Sequence, residues 1–224
     1  MAYKERIEKK ITTPRGTLTW CWLTEPDRKH EDVGVYQATI LFPEDSDGCK
    51  LMQNTVDELI DKYIEFEELP TTGKRAITVV KPYRNHLRKT EELDEEGDPI
   101  MEPDGMISFK FKMKASFKKK SGEIVNMRPT LIDSKKNPIP AGVKIGSGSE
   151  GRIAGNLVPY GPMGKEKNVG CSLYLTIVQL LKLVEFGGNS IDSFDLDEEE
   201  GGYVAGGEYV APAEEEGTEV PGDF

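Results

Sequence analysis

Cysteine and histidine are scarce in this 224-residue chain, which contains three cysteines and two histidines. The cysteines are far apart, odd in number and never arranged as C-x-x-C; they are Cys21, Cys49 and Cys171. A disulfide framework and a structural zinc site are therefore both disfavoured, and a reducing compartment is indicated. The first ten residues are charged throughout, so a signal peptide is not expected.

Long hydrophobic runs are absent as well. The most apolar stretch, residues 173–186, spans 14 positions and is interrupted by Gln179 and Lys182. A membrane-spanning helix needs about 20 predominantly apolar residues. No membrane partner is therefore expected.

Motifs of catalysis and nucleotide binding are missing, with one weak exception. No P-loop, nucleophile elbow or H-E-x-x-H occurs. Residues 146–151 match G-x-G-x-x-G, but Gly155 and Pro159 follow closely, so we expect a flexible loop and not the helix that a dinucleotide site requires. Paired carboxylates fall mostly in segments that solvent reaches. The sequence thus predicts no catalytic residue, no metal site and no cofactor, and a protein that is not an enzyme.

Positive charge is missing from one end of the chain. The protein has 29 Lys and Arg residues against 40 Asp and Glu residues, for a net charge of −11. Residues 192–224 hold 12 acids and no Lys or Arg, so residues 1–191 carry 29 basic and 28 acidic residues, or +1. The acidic segment also contains glycine pairs and prolines and lacks hydrophobic periodicity. We therefore predict a folded domain over residues 1–191 and a disordered acidic tail over residues 192–224.

Strand patterns dominate the folded domain. Residues 107–118 alternate most clearly, with apolar residues at odd positions and Ser or Lys at even positions, so one face of this strand is lined by lysines. Residues 51–66 have apolar side chains at helical spacing and predict the main helix. About seven strands with one helix disfavour a parallel α/β fold. They favour a mainly β fold, an OB-fold-like antiparallel barrel with one main helix.

Basic residues within the domain are concentrated in two segments. Residues 74–89 contain six basic residues and no acid, residues 105–152 contain eleven basic residues and three acids, and an acidic loop at residues 91–98 separates them. Single-stranded nucleic acid requires cations for its phosphates and flat surfaces for its unpaired bases. The candidate phosphate-binding residues are Lys110, Lys112, Lys114, Lys118, Lys119, Lys120, Arg75, Lys81, Arg84, Arg88, Lys89 and Arg152. The candidate stacking residues are Tyr83, Phe117, Tyr160, Trp20 and Trp22.

These assignments have structural alternatives. Lysines on an edge strand also protect a sheet against aggregation. Most aromatic residues on the apolar face of residues 107–117 are expected in the core, together with at least one of Trp20 and Trp22. The tail, in the simplest interpretation, provides solubility. It ends, however, in Asp223 and Phe224, and a terminal aromatic residue on an acidic segment suits a partner's apolar pocket with a basic rim.

A basic OB-type domain, an acidic glycine-rich tail and a terminal Asp-Phe together resemble the single-stranded-DNA-binding proteins of tailed bacteriophages. Residues 170–179, Gly-Cys-Ser-Leu-Tyr-Leu-Thr-Ile-Val-Gln, also resemble a Gly-x-Ser…Leu…Val-Gln segment in one phage family of these proteins. The resemblance covers the tail and residues 105–186. The position of the helix after the second strand and the acidic loop at residues 91–98 depart from the usual OB pattern.

The resemblance implies a protein that protects single-stranded DNA during replication, recombination and repair in the cytoplasm of the bacterial host. It also implies a tail that covers the DNA groove when DNA is absent and recruits replication proteins, such as a polymerase, a helicase or a primase. A homodimer is an open alternative to a monomer. Two other functions remain as hypotheses: an adaptor that works through its acidic tail, and a metal-dependent nuclease or recombination enzyme, which the lack of clustered acids within the domain disfavours.

Overall fold

The computed structural model describes residues 7–29, 32–162 and 166–185. Within them the chain forms one helix and eleven strands, in the order β1 (Lys9–Thr12), β2 (Gly16–Asp27), β3 (Val35–Pro43), α1 (Asp47–Phe66), β4 (Thr78–Val80), β5 (Tyr83–Leu93), β6 (Pro99–Lys114), β7 (Ser116–Lys118), β8 (Ile124–Asn126), β9 (Thr130–Ile132), β10 (Ser149–Tyr160) and β11 (Asn168–Lys182). Contacts group Met1–Gly187 into one compact unit, to which all the described residues belong, and Gly188–Phe224 into a second. The predicted domain boundary at residue 191 and the tail lie outside the described residues.

Five long strands are connected through a circuit of pairings. β2 pairs with β3, β3 with β6, β6 with β11, β11 with β10, and β10 again with β2. The circuit is weakest between β6 and β11, where Lys112 and Tyr174 are the only registered partners among the described residues. Five strands arranged as a partly open circuit are characteristic of the OB fold.

The mainly β fold with one helix is confirmed, but the antiparallel description is incomplete. β11 pairs in parallel with β4, β6 and β9, whereas the other pairings are antiparallel. The described residues also form more strands than expected. The additional ones include β5, which has 11 residues and was not predicted, and several strands of three or four residues, too few to show the alternation from which strands are predicted.

The core lies between the strands of this circuit and α1. Phe109 and Phe111 of β6 are fully buried, and the ring of Phe42 meets Phe109 edge-on at 5.9 Å between centroids. The buried face of α1 consists of Cys49, Met52, Val56, Leu59 and Ile60. Among the described residues no helix is long and apolar enough to cross a bilayer.

α1 begins at Asp47, earlier than the predicted residue 51. Ser46 caps it, because the Ser46 hydroxyl oxygen accepts a hydrogen bond from the Cys49 backbone N–H at 3.1 Å. The predicted apolar stripe missed the first turn of the helix, in which Cys49 is also buried. The helix follows β3, the second strand of the circuit, so the departure from the usual OB pattern is present in the structure.

The glycine-rich residues 146–151 form a turn that leads into β10, without a helix. Ser149 is fully buried, and its hydroxyl donates to the carbonyl oxygen of Gly146 at 2.8 Å. This buried hydrogen bond ties the turn to the start of the strand, and the flexibility expected of the loop stays a prediction. The absence of a dinucleotide-binding helix is as expected.

β5 and the first part of β6 form a two-stranded arm, residues 87–103, that pairs with no third strand among the described residues. The acidic loop at residues 91–98 is the tip of this arm. Asp94 organises the tip, since one of its carboxylate oxygens accepts the backbone N–H groups of Glu96 and Asp98, each at 2.9 Å. A second small hairpin, β7–β8, forms a separate two-stranded sheet.

Candidate nucleic-acid interface

β6 sorts its side chains onto two faces, as the sequence predicts. Phe109 and Phe111 are fully buried, whereas Lys110, Lys112 and Lys114 are exposed on the opposite side of the strand. Side chains alternate across a strand, so the three lysines share one side of the sheet. We call the surface around these three residues the lysine face.

A row of four registered residues crosses the lysine face. Trp22 of β2 pairs with Gln37 of β3, which pairs with Lys112 of β6, which pairs with Tyr174 of β11. Registered partners on neighbouring strands point to the same side, and the row is about 14 Å long because strands are about 4.8 Å apart. Trp22 is 44% exposed and Tyr174 46% exposed. An accessible aromatic side chain therefore lies at each end of the row, with Lys112 between them.

β10 packs closely against β11, the strand that carries Tyr174. A Cβ atom at Gly155 of β10 would overlap the carbonyl oxygen of Tyr174, so this position of the sheet requires glycine. On either side of Tyr174, Leu173 and Leu175 are buried. The aromatic side chain is thus presented by a strand whose neighbours are fixed in the core.

Positive charges on the lysine face repel one another. Partial burial lowers the pKa of Lys110 below its ordinary value of 10.5, and the charges of Lys112 and Arg84 lower it further. Arg84 lies opposite Ser108 of β6, two residues from Lys110 and on the same face. Asp27 acts in the other direction and raises the pKa of Lys110. A bound anion would relieve the repulsion among the three cations, so the face favours anions.

Uncharged polar residues form the floor of the lysine face. Thr19, Gln37, Thr39 and Ser108 are each at most 9% exposed, although they lie on the side of the sheet opposite Phe109. Three of these side chains form hydrogen bonds: the Thr19 and Ser147 hydroxyls lie 3.1 Å apart, the Gln37 amide donates to Asp27 at 3.1 Å, and the Ser108 hydroxyl donates to the Arg84 carbonyl oxygen at 3.0 Å. Neighbouring side chains must cover these residues. The surface of the lysine face is therefore formed by the longer side chains that cover these polar residues.

Both tryptophans of β2 are exposed. Between Thr19 and Trp22, β2 has one residue more than β3, which defines a bulge. Trp20 lies in this bulge with φ of 50° and is 68% exposed. The expectation that at least one tryptophan fills the core is wrong, because the bulge places Cys21 against the core instead. A left-handed backbone is rare for a bulky aromatic residue and occurs where surrounding structure enforces it.

Tyr83 and Lys81, both sequence candidates, contact the helix instead of the lysine face. The Tyr83 hydroxyl donates to the Asp57 carboxylate of α1 at 2.9 Å, and the Tyr83 ring lies 5.3 Å from Phe109. Burial, together with the hydrogen bond to Asp57, raises the pKa of Tyr83 to about 12. Lys81 forms an ion pair with Asp57 at 2.5 Å and lies 5.9 Å from the Tyr83 ring centroid. These contacts attach α1 to the sheet.

The basic candidates of the hairpins lie away from the row of four residues. Arg88 and Lys89 belong to the arm, opposite Glu102 and Met101 respectively. Phe117 and three lysines belong to the β7–β8 hairpin; the lysines are Lys118, Lys119 and Lys120. Phe117 is 48% exposed, so it fills no core position, although it continues the odd-numbered series of β6. The role of these residues in DNA binding stays a prediction.

Three more candidates are spread around the domain. Arg152 is exposed on β10, opposite Gln179 of β11. Tyr160 lies at the end of the same strand over Gly170, where a Cβ atom would lie 2.8 Å from the Tyr160 hydroxyl. Arg75 is exposed in the segment before β4. The predicted partner-binding residues Asp223 and Phe224 lie outside the described residues.

Two residues of the lysine face were not selected from the sequence. Tyr174 could have been found, because Leu173, Tyr174 and Leu175 alternate between apolar and exposed positions. Asp27 could not have been found from the sequence. Its effect on the pKa of Lys110 depends on the pairing of β2 with β3 and of β3 with β6. Within the described residues, no cluster of His, Cys, Asp and Glu could hold a metal ion.

The family model for the single-stranded DNA-binding protein of bacteriophage T7 matches residues 15–185. The chain belongs to this family. The single-stranded DNA-binding protein of Escherichia phage T7 is 32% identical over 231 aligned positions, which cover 94% of this chain and 92% of the relative. The corresponding protein of Enterobacteria phage T3 is 30% identical over 218 positions, covering 89% of this chain and 87% of the relative.

A solved structure supports the same assignment. The crystal structure of gp2.5, the single-stranded DNA binding protein encoded by bacteriophage T7, matches with a TM-score of 0.61 and 25% identity, covering 88% of this chain and 99% of gp2.5. Membership in this family confirms the resemblance inferred from the sequence. It also confirms the expectation of a protein that is not an enzyme.

Proposed function

We propose that this protein binds single-stranded DNA, independently of sequence, across the lysine face. The observation that carries the proposal is the row in which Lys112 lies between exposed Trp22 and Tyr174. A phosphate pairs with Lys112, and unpaired bases stack on the two aromatic side chains. The T7 and T3 relatives are single-stranded DNA-binding proteins, which supports the proposal.

The lysine face explains a preference for single strands over duplexes. Stacking requires a base face that is free, and in a duplex both faces of each base are covered by neighbouring pairs. Lysines contact phosphates, which are identical at every nucleotide, so they convey no sequence information. Lys110, Lys112, Lys114 and Arg84 are the phosphate ligands in this proposal. The face of an OB fold that includes its second and third strands is a common position for bound oligonucleotides, and here those strands are β3 and β6.

The acidic tail acts as a competitor of DNA in this proposal. Residues 192–224 carry 12 acids and no base, and they are joined covalently to the domain that carries the lysine face. A tethered segment reaches millimolar effective concentrations, so many weak ion pairs suffice to cover the groove when DNA is absent. Binding of DNA then releases the tail, and Asp223 and Phe224 become available to replication proteins such as a polymerase, a helicase or a primase. We expect this activity in phage replication, recombination and repair in the host cytoplasm.

The proposal is tested by the fluorescence anisotropy of labelled oligo-dT and of a matching duplex across a salt series. The full chain is compared with a chain that ends at residue 191. We expect tight binding of the single strand, weak binding of the duplex, and tighter single-strand binding after truncation. If truncation has no effect, the tail does not cover the groove. If neither chain binds DNA, the DNA proposal fails and the adaptor that works through the tail becomes the leading function.

A further inference from the structure

One face of the arm, which we call the arm face, is apolar and exposed. Its cross-strand pairs are Leu87 with Pro103, Lys89 with Met101, and Leu93 with Pro99. The β6 members of these pairs alternate along the strand, so the three pairs lie on the same face. Leu87 is 46% exposed, Met101 47% and Leu93 60%. Large apolar side chains that lie together in solvent usually mark a site of protein association.

The arm is strongly acidic, in contrast to the lysine face. Residues 87–103 contain seven acids and two bases, so the arm carries a net charge of −5. Six of the acids lie in residues 91–98 at the tip, all of which are exposed. One of the two bases, Arg88, lies opposite the seventh acid, Glu102, which offsets its charge. The arm therefore repels nucleic acid and anionic lipid, and it attracts a basic protein surface.

The edge and the length of the arm indicate how such a protein docks. The register of β5 shifts between Lys89 and Leu93, so the edge of this strand is bulged. Bulges oppose the addition of another strand to an edge, so the partner is expected on the arm face. Residues 87–93 extend for about 20 Å, which is the length of about four turns of an α-helix. A helix with apolar residues at positions i, i+3, i+4 and i+7 presents a stripe that suits this surface.

We infer that the arm face docks a basic amphipathic helix of another protein, with the apolar side of the helix on the arm face and its Lys or Arg side chains beside the acidic tip. The inference rests neither on the proposed DNA binding nor on the acidic tail, because the arm belongs to the folded domain. A contact of this length buries on the order of a few hundred Å² on each partner, which is at the small end of specific contacts. Dissociation in the micromolar range is therefore expected, and salt should weaken the contact.

A synthetic peptide tests whether the full chain binds such a helix. The probe is a fluorescent helical peptide of about 14 residues with leucines along one side and lysines elsewhere. The control peptide has the same residues in an order that distributes the leucines around the helix, so contacts with the acids of residues 192–224 contribute equally to both peptides. Anisotropy titrations should show roughly tenfold weaker binding of the control peptide. Equal affinities for the two peptides would overturn the inference.

Substitutions on the arm face locate the site. The test variant combines Leu87→Ser, Leu93→Ser and Met101→Ser, and its thermal unfolding establishes that it is folded. Leu51→Ser is the matched control, because Leu51 is 59% exposed on α1. The triple variant should bind the amphipathic peptide roughly tenfold more weakly than wild type, and the control should bind as wild type does. A folded triple variant with wild-type affinity would overturn the inference. Sedimentation velocity is recorded for each protein, and a change in the assembly state of the triple variant would assign the arm face to a second copy of the chain instead.

Neutralisation of the tip tests the role of charge. Glu95→Gln with Glu96→Gln removes two acids from the tip. Glu58→Gln with Glu65→Gln on α1 is the matched control, because it removes the same charge from exposed positions. The tip variant should bind the amphipathic peptide more weakly and with a smaller salt dependence, whereas the α1 variant should bind nearly as wild type does. If both variants lose affinity equally, net charge alone attracts the peptide and the inference fails.

Cross-linking locates the peptide on the unaltered protein. The amphipathic peptide carries a benzophenone group, is irradiated with the full wild-type chain, and the cross-linked peptides are identified by mass spectrometry. Cross-links should fall on residues 87–103. Cross-links confined to residues 192–224 or to α1 would overturn the inference.

Discussion

Lys112 of β6 lies directly opposite Tyr174 of β11, and this registered pair joins the two strands on which the circuit of the sheet depends. A cation and an exposed aromatic ring are thus placed side by side by the fold itself. Gln37 and Trp22 extend the same row across β3 and β2. The candidate DNA-binding face and the weakest junction of the sheet consequently lie at the same place.

Lys112→Ala should weaken binding of oligo-dT and reduce the salt dependence. A single strand releases about 0.7 counterion per neutralised phosphate, so the slope of log K against log salt should fall by about 0.7. Anisotropy titrations over a salt series measure this slope. Lys50→Ala, an exposed position on α1, is the matched control and should leave the slope unchanged. An unaltered slope for Lys112→Ala would remove this residue from the phosphate ligands.

Tyr174→Ala should lower the affinity for oligo-dT by about 1–3 kcal/mol, which is the range of one base–aromatic stack. Tyr174→Phe keeps the ring and should bind nearly as wild type does. Equilibrium titrations with all three proteins measure the difference, and circular dichroism checks that the fold persists. Equal losses for Ala and Phe would show that the hydroxyl matters and stacking does not.

The affinity for DNA should fall at alkaline pH because Lys110 deprotonates below its ordinary pKa. A phosphate partner raises the pKa of Lys110 in the complex, so binding requires proton uptake once the pH exceeds the pKa in the free protein. Below that pH both states are protonated and this effect vanishes. Lys110→Arg should remove most of the decline, since arginine stays charged. Parallel pH profiles for the two proteins would argue against Lys110 as the titrating group.

Asp27→Asn should tighten DNA binding. Asp27 is the acid that opposes the cations around Lys110, and its Oδ2 accepts a hydrogen bond from Gln37 at 3.1 Å. Asparagine retains a side-chain acceptor at this position while removing the negative charge. A gain of about 1 kcal/mol, or roughly fivefold in affinity, is expected for a partly screened charge near the phosphates. An unchanged affinity for the variant, with its melting temperature unchanged, would place the DNA away from Asp27.

The alternation of residues 107–114 predicted the lysine face because it depends only on the period of a strand. Sequence reasoning erred where the outcome depended on pairing between distant segments. Trp20 and Trp22 were separated from the core by a bulge that exists only relative to β3. Lys81 and Tyr83 both contact Asp57 on α1 and therefore do not belong to the lysine face. Local sequence patterns could not predict these contacts, because they join segments that are distant in the chain. Tyr174 joined the site through its register with Lys112, which follows from the parallel pairing of β6 and β11.

Photo-cross-linking of full-length protein to oligo-dT that contains 5-iodouracil, followed by mass spectrometry of the peptides, tests the central claim most directly. The account predicts cross-links at Trp22 and Tyr174, which should disappear when an excess of unlabelled oligo-dT is added. Cross-links confined to Phe117 of the β7–β8 hairpin or to Tyr160 at the end of β10, with none on the row through Lys112, would contradict it.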